Sequence, residues 1–120
     1  MKMRTVYKYD LPLTSSPGEV LPIKLPAGAK ILSVGEQGAD PLLGPRFFVW
    51  ALVDPDEKFE ELRYVVTVGT GHKMEITTLS ERDWDHQETV IALGGRLVIH
   101  VWISKAEGID ACPDVTVDNV

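Results

Sequence analysis

Phe47-Phe48-Val49-Trp50-Ala51-Leu52-Val53 is the longest apolar run in the chain. It falls far short of the ~20 residues that a membrane-crossing helix needs, and it is rich in β-branched and aromatic side chains. Asp54-Pro55-Asp56-Glu57 follows as a turn, with Pro at the second position and Asp able to bond the backbone ahead of it. Both alternating rows of the run are apolar: Phe47, Val49, Ala51 and Val53 on one side, Phe48, Trp50 and Leu52 on the other. Such a strand belongs inside a structure, covered on both faces. Arg96–Ile103 has the same character, with Leu97, Ile99, Val101 and Ile103 set against Val98, His100 and Trp102. These two segments are expected to be interior strands, with Trp50 and Trp102 in the core and His100 a core histidine.

Working outward, short segments rich in Val, Ile and Tyr alternate with Pro and Gly punctuation, which reads as strands and turns. Met3–Tyr9 places Tyr7 and Tyr9 on one face, with Arg4, Val6 and Lys8 on the other. Glu19–Leu25 points Leu21, Ile23 and Leu25 inward, and Pro22 marks it as an edge strand or a bulged one. Lys30–Gln37 is a third strand, and Gly38–Pro45 reads as a long loop that carries Leu42 and Leu43. Leu62–Thr70 and Glu88–Leu93 complete the set, and Gly94-Gly95 suits a two-residue hairpin. The polar stretch Thr77–Gln87 has room for one short helix. About seven short strands at this spacing imply an all-β, antiparallel β-sandwich, with a small partly open barrel as the alternative. The sandwich is expected over residues 1–103. Residues 104–120 hold one basic and four acidic residues and read as a mobile acidic tail, in which Val115 and Val117 offer an edge strand.

The chain has 120 residues, the size of one domain. With 12 basic against 18 acidic groups the formal charge is −6, which argues against holding nucleic acid or an anionic membrane by bulk electrostatics. Cys112 is the single cysteine, so no intramolecular disulfide can form. The opening residues lack the apolar region of a signal peptide, and the expected location is the cytoplasm.

Few residues point to chemistry. Gly69-Thr70-Gly71-His72 lacks the Lys-Ser/Thr of a P-loop and the third Gly of a dinucleotide fingerprint. Two glycines let a strand bend or approach another chain closely; alternatively, their N–H groups and His72 meet a polar or anionic ligand. Asp83, Asp85, His86 and Glu88 match neither a zinc nor a calcium spacing and read as a solvated acidic loop. Asp54, Asp56, Glu57, Glu60 and Glu61 read likewise, as turn residues followed by a solvated edge. Gly-x-Ser-x-Gly is absent, and no catalytic residue, metal or cofactor is assigned. Trp84, among charges, either caps the end of the sandwich or makes a contact. Leu42 and Leu43 either fold back on the core or meet another protein.

The run Val49-Trp50-Ala51-Leu52-Val53-Asp54-Pro55 followed by Val68-Gly69-Thr70-Gly71-His72 resembles a family of small uncharacterised proteins common in bacteriophages and their hosts. Tyr7-Lys8-Tyr9 before Leu11-Pro12, and Leu25-Pro26-Ala27-Gly28-Ala29-Lys30-Ile31-Leu32-Ser33-Val34-Gly35, fit the same pattern. The likeness covers about Val6 to Ile103 and departs between Gln37 and Phe48, where the loop is longer. It implies phage or prophage origin and an accessory role in the host cell, and it brings no catalytic or binding residue. The leading expectation is a non-enzymatic protein that acts on a protein partner through Leu42, Leu43, Asp54, Asp56 and Trp84. A homo-oligomeric virion or assembly component is the second reading, with edge strands, particularly the second, pairing across subunits. A small-ligand module for a nucleotide or sugar, built on Gly69, Thr70, Gly71 and His72, is the third, and a metal-dependent hydrolase using His72, His86 or His100 is the last.

Overall fold

The computed structural model describes residues 3–13, 16–40, 42, 44–75, 79–80 and 82–111, with side chains at all of these but 39, 40 and 108–111. Among the described residues eight strands are formed: β1 (Thr5–Asp10), β2 (Val20–Pro26), β3 (Lys30–Asp40), β4 (Gly44–Val53), β5 (Phe59–Gly69), β6 (Trp84–Ala92), β7 (Leu97–Ser104) and β8 (Gly108–Ala111). They make two antiparallel sheets, one ordered β1-β4-β3 and the other β2-β5-β7-β6, with β8 pairing β5. β7 lies beside the second half of β5 (Val65–Gly69) and β8 beside its first half (Phe59–Leu62), so β8 prolongs the row that β7 begins. This is the expected all-β sandwich, and it is not closed into a barrel.

The inner row of β4, Phe47, Val49, Ala51 and Val53, is buried against the second sheet. Facing it are Leu25 from β2, Val65 from β5, Val101 and Ile103 from β7, and Val90 and Ala92 from β6. The two interior strands keep their place, but their outer rows are not core. Trp50, Leu52, His100 and Trp102 are only half-buried. A two-layer sandwich covers one face of each sheet with the other sheet and leaves the opposite faces to partial, local cover. Phe48 is sheltered in that way: Lys8 Nζ lies 4.3 Å from its ring centroid and the Arg46 guanidinium 5.1 Å.

Four local expectations are corrected. Gly38–Pro45 is mostly strand, since Ala39 pairs with Pro45 and Asp40 with Gly44, and β3 and β4 form one long hairpin with exposed Leu42 at its tip. The β6–β7 hairpin turns over Leu93–Arg96 rather than two glycines: Arg96 N–H donates to Leu93 O, and Leu93, Gly94 and Gly95 all take positive φ. Trp84–Gln87, expected within a short helix, is strand. Finally, the second sheet continues past Ile103. Ser104 is fully buried, its Oγ accepts from Tyr64 N–H at 2.9 Å, and β8 follows. Leu43, Thr77, Thr78, Cys112, Val115 and Val117 lie outside the described residues.

β5 and β6 run parallel, because antiparallel β7 lies between them. Their connection must therefore return from one end of the sheet to the other. Described residues on either side of it lie on the outer face: Met74 packs where a Cβ on Gly18 would lie, and the Arg82 guanidinium sits 4.3 Å over the Tyr64 ring. Val66 and Val68 are buried although their strand parity points them away from the sandwich interior.

Candidate functional site

Along the inner face of β5 the side chains run Glu61, Arg63, Val65, Thr67 and then Gly69, in the two-residue period of a strand. The last of these has no side chain, and a cavity of about 190 Å³ opens at that end of the sandwich. Leu13, Pro17, Phe47, Leu97 and Ile99 supply apolar walls, and Thr67, Val68, Gly69 and His72 along β5 and its following turn supply the remainder. No carboxylate, lysine or arginine is among these lining residues.

The Gly69-Thr70-Gly71-His72 turn forms one rim. His72 N–H donates to Gly69 O at 3.1 Å, and Gly71 takes φ 89°, a left-handed conformation that glycine adopts without a Cβ clash. The His72 ring folds back over Gly69, with Cε1 and Nδ1 3.0 Å from where a Cβ on Gly69 would sit. Each glycine thus has its own reason: Gly69 makes room for the imidazole, and Gly71 turns the chain. Thr70 points elsewhere. Its Oγ1 is 2.8 Å from His100 Nε2, while Thr89 Oγ1 is 3.1 Å from His100 Nδ1. His100 is therefore held on the outer face of its sheet between two threonine hydroxyls, and this contact fastens the turn to β7 and β6. Of the four residues singled out here, Gly69 and His72 line the cavity, and Thr70 and Gly71 shape the rim.

The other candidates are dispersed. Asp54 Oδ1 accepts from Asp56 N–H at 2.9 Å, Asp54 O accepts from Glu57 N–H at 3.1 Å, and Arg4 lies 3.7 Å from Asp54 Oδ2. Both aspartates thus belong to the turn that joins β4 to β5. Trp84 is half-buried, and its Nε1–H donates to Leu79 O at 2.7 Å, tying the β5–β6 connection to the start of β6. Leu42 stands at a hairpin tip, 93% exposed. His86 Nε2 lies 3.1 Å from Glu88 Oε1 and lines no part of the cavity. Among the described residues no group of three His, Cys, Asp or Glu is placed to hold a metal ion.

The opposite end of the same β5 face departs from the reading of a solvated acidic edge. Glu61 and Arg63 are buried, at 4% and 5% exposure, and their carboxylate and guanidinium form a close ion pair. Glu61 Oε1 also accepts from Gly28 N–H at 2.7 Å, while Arg63 donates to Ala29 O at 2.5 Å and to Asp85 Oδ2 at 2.8 Å. The strand period carries the signal: Glu61 and Arg63 share the parity of Val65, so once β5 begins at Phe59 both must point inward.

Tyr9 on β1 has a displaced acidity. Burial, then the neighbouring Tyr7 and Glu60, raises its phenol above the ordinary value of 10.0.

Among the described residues no helix is long and apolar enough to cross a membrane. The family described as Domain of unknown function (DUF7352) matches residues 3–110, which span nearly the whole of both sheets, so the chain belongs to that family. No curated protein and no solved structure matches the chain.

Proposed function

We propose that this member of the DUF7352 family is a non-catalytic binding protein that takes an apolar side chain of a protein partner into the cavity beside Gly69 and His72. The carrying observation is the wall of that cavity: apolar on most sides, with His72 the one titratable side chain among its described lining residues and no carboxylate, lysine or arginine there to pair with it or to hold a phosphate. Its volume is close to that of an engineered apolar cavity of roughly 150 Å³ that holds benzene, and it lies below the ~300–1,000 Å³ of drug-sized ligand pockets. One aromatic ring or branched aliphatic group fits, with the imidazole of His72 as a polar contact at the rim. A nucleotide or sugar is less well served, because such ligands need several polar groups converging on them. The resemblance to small phage and prophage proteins supports an accessory role in a host cell.

Titration of the isotopically labelled protein with N-acetylphenylalanine amide tests this reading. Saturable shifts confined to the amides of Gly69, Gly71, His72 and Ile99 are expected, and Ile99→Phe should abolish them by filling the cavity. Absence of shifts at these amides with aromatic and branched aliphatic probes alike would reject the proposal.

A further inference from the structure

We infer that β1 is a self-pairing edge and that two copies of this chain join antiparallel along it, about a two-fold axis at Tyr7. The argument starts from which backbone groups the edge presents. Leu11 N–H donates to Phe47 O, and the ladder continues with Tyr9 opposite Val49 and Tyr7 opposite Ala51. Antiparallel pairs alternate between bonded and non-bonded, so the odd residues direct their N–H and C=O groups toward β4. The groups of Arg4, Val6, Lys8 and Asp10 then point out of the sheet, toward a missing neighbour.

The other edges are differently placed. β2 carries Pro22, which has no N–H to offer. The edges of β3 and β6 approach each other, and Val34 N–H donates to Glu88 Oε1 at 3.4 Å between them. β1 contains neither Pro nor Gly, and Val6 and Tyr7 on it are 49% and 47% exposed.

Charge selects the partner and the register. A two-fold axis normal to the sheet keeps outer residues beside outer residues, so the axis passes through one residue. Centred on Lys8, it would stack Lys8 on its own copy. Centred on Val6, it would place Arg4 opposite Lys8. Centred on Tyr7, it places Arg4 opposite Asp10 twice and Val6 opposite Lys8 twice, and both of these are pairs that exchange two backbone hydrogen bonds. At home each charge is only loosely held: Arg4 lies 3.7 Å from Asp54, and Asp10 lies 3.7 Å from Arg46. Centred on Tyr9, it would set Lys8 against Asp10 but pair Val6 with Pro12, which has no N–H to exchange; the Tyr7 register combines the charge match with complete backbone pairing, and in it the two Tyr7 rings meet on the inner side. None of Arg4 to Asp10 lines the cavity, so this inference and the proposed binding function fail independently.

Sedimentation equilibrium of the full chain tests it, with a reversible monomer–dimer equilibrium expected. Val6→Pro removes an N–H that points to the open edge and leaves the ladder to β4 intact, so it should abolish the dimer while the far-ultraviolet spectrum is kept. Should that variant fail to fold, charge exchange decides. Arg4→Asp or Asp10→Arg alone should raise the dimer dissociation constant about tenfold, since each alters two symmetry-related pairs. The double exchange Arg4→Asp/Asp10→Arg should restore it. In a Cys112→Ser background, Tyr7→Cys should form an intermolecular disulfide on mild oxidation, because non-bonded antiparallel partners have the Cα spacing a disulfide requires. Lys8→Cys should not. A strict monomer at every attainable concentration, a dimer indifferent to the charge exchanges, or equal cross-linking at both positions would overturn the inference.

Discussion

The two ends of the inner face of β5 solve the same problem in opposite ways. Near Phe59 the space between the sheets is filled by the Glu61 carboxylate and the Arg63 guanidinium, which also reach Gly28, Ala29 and Asp85. Near Gly69 the side chains run out, and a cavity is left among Phe47, Leu97 and Ile99. The charged end joins β5 to the β2–β3 turn and to β6 through several directed bonds, so it has one arrangement. The apolar end is held by non-directional packing and is underfilled, so a guest can enter without breaking a hydrogen bond. A difference in directionality separates the part of the core that fixes the fold from the part available for binding.

The largest effect is expected from breaking the charged end. Arg63→Met leaves the Glu61 carboxylate buried without its cation and should cost about 3–5 kcal/mol in urea denaturation. Glu61→Leu/Arg63→Met removes both charges and should cost less than the single change, because no orphaned ion remains. Equal small losses in both variants would mean that the charged end does not order the sandwich. At the other end, Ile99→Phe should weaken binding of the aromatic probe at least about tenfold, equivalent to ~1.4 kcal/mol, and change stability by less than about 1.5 kcal/mol. A loss of stability as large as that of Arg63→Met would show that the cavity end is packed as tightly as its counterpart. Gly69→Ala should cost about 1 kcal/mol. Its methyl would displace the His72 ring, and the His72 ring resonances should move while those of His86 stay. The smallest effect concerns Tyr9. Its phenol is raised in the folded protein, chiefly by burial, so the folded state holds its proton to higher pH than the unfolded state does. The associated stability is complete below the unfolded value of 10.0 and is lost as pH rises through the folded value. Tyr9→Phe should flatten that decline, as read by denaturation between neutral pH and the alkaline limit.

Much of this architecture was legible in the residues. The apolar rows of β4 and β7 identified the interior strands, and Pro22 marked β2 as an edge. The Gly-Thr-Gly-His turn was recognisable as a bend, and two of its residues do meet the cavity. Glu61 and Arg63 escaped because acidic and basic residues in a row are usually solvated; only the starting point of β5 decides which face they take. The cavity escaped for a different reason. Its lining comes from five separate stretches of chain, represented by Leu13, Pro17, Phe47, Gly69 and Leu97, and no local pattern links them. Trp50 and Trp102 were expected in the core because a strand apolar on both sides resembles one buried on both sides. Two layers leave the outer faces to partial cover, which large aromatic side chains tolerate.

The interior strands β4 and β7 with their inward rows, the edge position of β2 and the bend at Gly69–His72 were determined by the order of residues alone. Each depends on spacing along the chain and on the fixed two-residue period of a strand. The pairing order β2-β5-β7-β6, the burial of Glu61 with Arg63 and the cavity beside His72 were decided only in three dimensions. Those features arise where residues distant in sequence compete for the same space between two layers, and packing between layers has no period that a linear sequence displays.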